Sequence, residues 1–275
     1  MLNIIKSDLF KIFKGKALYG VLLALLGLVF IIAGVITYTQ SESYREKVNS
    51  GEEQFIEMES SDESDHLQNG GEFLTMMSEH LGVAFLFLIL PFIMAVFGVD
   101  YSTGTYRNLL SYHSRRGTIY LAKMITSAIL TLVMLICFVV FSVIAGGIML
   151  GFGGFTGAVL MGVAKALLLM LPVMLAMIGV GYCVMTFTKK TSATIAVYLI
   201  GITVSGLAVQ LPMVLFPKAE WISQLDLTSS IGTLAQYGIR AEGEIMVPLV
   251  FSAILIAGTY ILGVVRYKTT DFDFN

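Results

Sequence analysis

The residues able to do chemistry are few, and none is spaced for catalysis. Only 3 histidines occur in the 275 residues, His66, His80 and His113. No H-E-x-x-H or G-x-S-x-G pattern is present. The nearest approach to a phosphate loop, Gly157 to Gly162, continues into Val163 where a P-loop needs Lys. Asp62, Asp65, His66 and Glu79 carry oxygen and nitrogen donors for a cation, but their polar surroundings are those of a solvated loop. Cys137 and Cys183 fall in apolar runs, where a thiol acts as a small apolar residue, so neither a disulfide nor a metal site is expected. The chain therefore has no expected catalytic, cofactor-binding or metal-ligating residues. One ionisable group stands inside an apolar stretch, Lys165. Intramembrane charge marks a substrate path or snorkels to the surface, and Lys165 is a candidate for the first role.

The elements that carry these residues are membrane spans. The chain is 56% hydrophobic and only 13% charged, against roughly 25% charged for a soluble domain. Splitting the longest uncharged run at the turn Gly151 to Gly157 predicts six helices near 17–38, 81–99, 124–150, 158–188, 191–216 and 245–265. The first, preceded by basic residues, is expected to be a retained span rather than a cleaved signal. Before it, LNIIKSDLFKIFKGK places Ile5, Leu9, Ile12 and Phe13 on one helical face and Lys6, Lys11 and Lys14 largely on the other, the pattern of an amphipathic elbow helix in the membrane interface. Pro91, Pro172 and Pro212 mark kinks, and the glycines of 179–183 mark close helix contacts.

Charge sets the expected topology. Lys6, Lys11, Lys14, Lys16, Arg107, Arg115, Arg116, Lys123, Lys189, Lys190, Arg266 and Lys268, most of the 17 basic residues, share one side if both termini are cytoplasmic. The acids gather on the other side, where the loop 39–80 holds Glu52, Glu53, Glu57, Glu59, Asp62, Glu63 and Asp65. Such charge density predicts a mobile or weakly structured segment, one able to recruit cations from outside. The inner loop 100–123 is too apolar for a linker, with Leu109, Leu110, Tyr112, Ile119 and Tyr120 among its basic residues, and a short helix near 105–113 is expected between Gly104 and Gly117. Residues 217–244, carrying Trp221, Leu225, Leu227, Ile231, Leu234, Tyr237 and Ile239, predict short helices half-buried on the outer side.

The run from Asp100 to Lys123 resembles the cytoplasmic coupling segment of type-2 ABC transporter permeases. The matching positions are Asp100, Gly104-Thr105, Leu109-Leu110, Ser111, Arg115 and Lys123, with Arg107 and Arg116 as the neighbouring cations. The family often has Glu at the first position and Pro near Tyr112-His113, and this chain departs at both. The resemblance implies an all-α integral membrane permease of six spans, forming one domain over 1–275 in the cell membrane. It implies two copies of a separate ABC ATPase, which would hold the ATP and Mg that this chain lacks, and a second permease, identical or similar. Members of this layout often export or confer immunity to antimicrobial peptides such as lantibiotics and bacitracin, and others move lipid-linked polymers, drugs or sodium. The acidic loop favours amphipathic or cationic peptides. The lipid bilayer is the remaining partner, and nucleic acid is not among them. A secondary transporter or channel would show more ionisable groups at midplane. An intramembrane enzyme would need a nucleophile and base that are absent, and a non-transporting sensor or scaffold stays open.

Overall fold

A computed structural model describes residues 1–39, 67, 69–80, 82–102, 116–215, 224–241 and 244–269. All regular structure among the described residues is helical. In chain order the elements are α1 (Leu2–Lys14), α2 (Lys16–Thr39), α3 (Gly70–His80), α4 (Gly82–Ile93), a π-turn (Met94–Gly98), α5 (Val99–Ser102), α6 (Arg116–Leu150), α7 (Gly157–Thr188), α8 (Thr191–Leu215), α9 (Leu227–Arg240) and α10 (Met246–Thr269). Five of them, α2, α6, α7, α8 and α10, are long and apolar enough to cross a membrane. α3 and α4 together make a sixth candidate, bent by 67°. The expected span 81–99 thus falls in the second part of that bent pair.

Each span turns one stripe inward. Leu18, Val21, Leu25, Val29, Ala33 and Ile36 recur every three or four residues along α2 and are buried, chiefly against α6. Tyr19, Leu23, Leu26 and Ile31 on the same helix are exposed. Outward apolar faces of this kind suit lipid, where association rests on close packing rather than on escape from water. α7 is the central helix, lying against α4, α6, α8, α9 and α10. Gly179 and Gly181 press so closely on Thr259 and Ile93 that neither position has room for a Cβ, which is the close contact expected of these glycines. Met170, Met174, Met177 and Met185 are core packing on the same helix.

Two end structures differ from expectation. On the face opposite the N-terminus, the interval 39–80 is not wholly loop, because α3 occupies its end. The charge of that interval is concentrated before Leu67, and beyond it Phe73, Leu74 and Met77 are fully or almost fully buried. Asn69 starts the helix, accepting from the Glu72 N–H at 3.1 Å while its amide donates to the Glu72 carboxylate at 3.0 Å. α3 is then pinned to the turn between α6 and α7 by backbone bonds from Gly70 to Gly151 and from Gly71 to Gly153, both 3.1 Å. α9 is a half-buried helix before the last span, capped by Asp226 and lying along α7. Glu79 of α3, considered above as a cation ligand, instead accepts two bonds from the Arg240 guanidinium at the end of α9, 2.8 and 3.0 Å long. No cluster able to hold a metal ion occurs among the described residues.

On the N-terminal face, α6 begins at Arg116 rather than at 124. Gly117 does not end a helix but sits in the first turn of α6, facing Val264. Residues 103–115, which include the short helix expected near 105–113, lie outside the described residues.

Candidate functional site

The two residues that bracket the inner loop, Asp100 and Lys123, meet inside the protein. The Lys123 ammonium has no exposed surface and is shared among three acceptors. It pairs with the Asp100 carboxylate, donates to Asp8 Oδ2 at 3.2 Å and donates to the Val96 carbonyl at 3.0 Å. An ammonium has three protons and no acceptor capacity, so three acceptors satisfy it completely.

Each partner is held by a different element for a local reason. Lys123 lies seven residues into α6, with Ile119 and Ala122 beside it packed on Ile4 and Ile5 of α1. Asp8 is on that same inward stripe of α1, among Ile4, Ile5 and Ile12, which are all buried. Val96 belongs to the π-turn, where the wider i→i+5 spacing redirects backbone carbonyls and is often found at functional sites. Asp100 follows one turn later in α5.

A second cation closes the cluster at its rim. Lys11, half exposed, reaches Asp100 Oδ1 at 3.6 Å and Asp8 Oδ1 at 3.9 Å. Two lysines and two aspartates therefore balance. Burial raises the Asp8 carboxyl above its ordinary 3.8, outweighing the attraction and hydrogen bond of Lys123. Nearby Asp100 adds to the rise, and Lys11 opposes it.

Aromatic rings wall the cluster on the core side. Phe97, from the π-turn, packs at 4.6 Å against the tilted ring of Tyr182 and lies edge-on to Tyr120 at 5.9 Å. The Tyr182 hydroxyl donates to the Lys123 carbonyl at 3.1 Å and shares a hydrogen bond with Ser127, which ties α7 to the same turn of α6. The arrangement holds opposite charges in place between α1, α5 and α6.

Among the sequence-derived residues, Asp100 and Lys123 are brought together, and Arg116 begins α6. Gly104, Thr105, Arg107, Leu109, Leu110, Ser111 and Arg115 lie outside the described residues, as do Glu52, Glu53, Glu57, Glu59, Asp62, Glu63 and Asp65. Lys165 is exposed on α7, eight residues past its start. At 1.5 Å per residue this is about 12 Å along the helix. Asp8 and Lys11 are the residues that sequence reasoning missed. The available signal was Asp8 itself, an acid four residues from both Ile4 and Ile12 and hence on their face of an otherwise basic helix.

Apolar helices that expose their outer faces, closed at one end by an ionic joint and at the other by packed short helices, define a multi-pass membrane protein. The chain belongs to a transporter family: the model described as ABC-2 family transporter protein matches residues 2–272. It is thus the membrane subunit of an ABC transporter and works with an ABC ATPase. No curated protein and no solved structure matches the chain.

Proposed function

We infer that this permease couples ATP hydrolysis on a separate ATPase to export of an amphipathic peptide, with residues 103–115 as the docking segment. The observation that carries the coupling assignment is the buried cluster, because Asp100 and Lys123 flank that segment on both sides and share one set of ion pairs. A push on the segment then reaches α1, α5 and α6 together. Leu109 and Leu110 supply the apolar part of the contact, and Arg107, Arg115 and Arg116 the basic part. This chain hydrolyses no ATP itself, both termini are cytoplasmic, and a second permease, identical or similar, completes the enclosure.

The substrate class follows from the far face. The acids from Glu52 to Asp65 favour cationic ligands through long-range attraction. The spans carry few polar side chains with which to hydrate a large hydrophilic solute. Antimicrobial peptides, exported or cleared in self-immunity, combine both properties. The test is peptide protection of cells across ionic strengths, with wild type compared against a chain in which Glu52, Glu53, Glu57, Glu59, Asp62, Glu63 and Asp65 are neutralised. Protection should fall more at low salt than at high salt. Equal protection by the two chains at every salt concentration removes the recruitment role. For coupling, replacing Leu109 and Leu110 by Asp should abolish ATPase association without blocking membrane insertion, and retained association with transport overturns the docking assignment.

A further inference from the structure

The face of α1 turned away from the ionic cluster has a composition of its own. Leu2, Phe10 and Phe13 are 68%, 66% and 45% exposed. At 100° per residue they lie within about a quarter turn of one another, with Lys6 between them. Lys6 and Lys14 are exposed, and so is Lys16 at the start of α2. Lys14 sits 5.6 Å from the centroid of the Phe10 ring. The only acid on α1 is Asp8, and it is buried on the opposite side, where it also engages Lys11. The exposed charge of α1 is therefore entirely positive.

The surface continues into a span end. Tyr19, 60% exposed, follows Lys16 in the first turn of α2. Aromatic residues and lysines at the end of a span are the side chains that occupy the headgroup layer. The inward face of α1 is fixed by Ile4, Ile5 and Ile12, so the helix cannot roll to hide its outer side chains.

We propose that α1 and the first turn of α2 form a binding surface for anionic phospholipid headgroups. Lys6, Lys14 and Lys16 meet the headgroup phosphates, and Leu2, Phe10 and Phe13 enter the acyl boundary. Lys11 is excluded, being committed to Asp8 and Asp100. Lipid is favoured over an acidic protein partner because the large exposed side chains merge with the apolar wall of α2, where Leu23 and Leu26 are also exposed.

The test uses the full chain in vesicles with a single reporter. The natural chain has 1 tryptophan, so Trp221→Phe combined with Phe10→Trp puts the only indole on this face. Vesicles of phosphatidylcholine containing phosphatidylglycerol are prepared with bromine quencher on one lipid or the other. At equal mole fraction, brominated phosphatidylglycerol should quench about threefold or more strongly than brominated phosphatidylcholine. Lys6→Gln, Lys14→Gln and Lys16→Gln together should erase that preference while leaving quenching itself. Equal quenching by both lipids in the chain with native lysines overturns the proposal. Absence of quenching by either lipid overturns it in favour of a protein-covered face, and a preference that survives removal of the three lysines overturns their assignment.

Discussion

Lys123 and Asp100, 23 residues apart in the chain, form a buried ion pair across the base of the segment that separates α5 from α6. Because Asp8 joins them from a helix 115 residues away, the pair is a three-element joint rather than a local clasp. Removing one member of such a group leaves the others charged and dry, at a cost of about 3–5 kcal/mol.

Lys123→Met should consequently be among the most destabilising single changes in the chain, since it strands Asp8 and Asp100 together. Adding Asp8→Asn and Asp100→Asn to Lys123→Met should recover part of the loss, because neutral amides cost less to bury than paired-off carboxylates without a cation. Thermal unfolding of the purified chain in detergent measures both steps. Strict additivity of the three changes would mean that the residues do not act as a unit.

Asp8 provides a pH signature. Its folded pKa lies above 3.8 because burial penalises the carboxylate, so the folded state binds that proton more tightly than the unfolded chain does. The Asp8 contribution to stability is then fullest at low pH and is lost as pH rises through the folded value. Comparing wild type with Asp8→Asn, the difference in melting temperature should move in favour of wild type as pH falls from about 7 to about 4. A difference that moves the other way would show that the Lys123 attraction, not burial, dominates at Asp8.

The crossing of α7 and α9 gives a paired test of packing. A Cβ at Gly238 would collide with the backbone of Ala166, which cannot rotate aside, whereas at Gly232 nothing lies within 4 Å. Gly238→Ala should destabilise by about 1–3 kcal/mol as overpacking. Gly232→Ala, in the interior of the same helix, should stabilise by about 0.5–1 kcal/mol through helix propensity. Equal effects at the two positions would contradict the helix contact. The same detergent unfolding measurement reads both.

What the sequence disclosed and what it hid follow from the range of the interactions. Uninterrupted apolar runs fix α7, α8 and α10 to within a few residues, because length and hydropathy are local. The turn at Gly151 to Gly157 and the two-lysine connection at Lys189 and Lys190 were legible for the same reason. α3 was concealed because the acids before Leu67 dominate the average over 39–80, although Asn69 and Glu72 already spell a helix start. The early beginning of α6 was concealed by Lys123, which reads as the end of a loop until Asp8 and Asp100 are seen to neutralise it. That neutralisation is long-range, so no window of sequence contains it. Asp100 and Lys123 entered through family resemblance, and Asp8, which no motif marks, came only from the packing of α1 on α6.

The most direct test of the central claim is the number of substrate molecules transported per ATP hydrolysed, measured in proteoliposomes holding the permease with its ATPase. Asp100→Asn keeps the size of the side chain and leaves Lys123 its bonds to Asp8 and Val96, so the complex should assemble. If the cluster carries motion from the 103–115 segment into the spans, ATP hydrolysis should persist while transport per ATP falls by about tenfold or more, the equivalent of 1.4 kcal/mol in the coupled step. Transport per ATP equal to wild type in the assembled complex would contradict that role and leave the buried ions a structural joint alone.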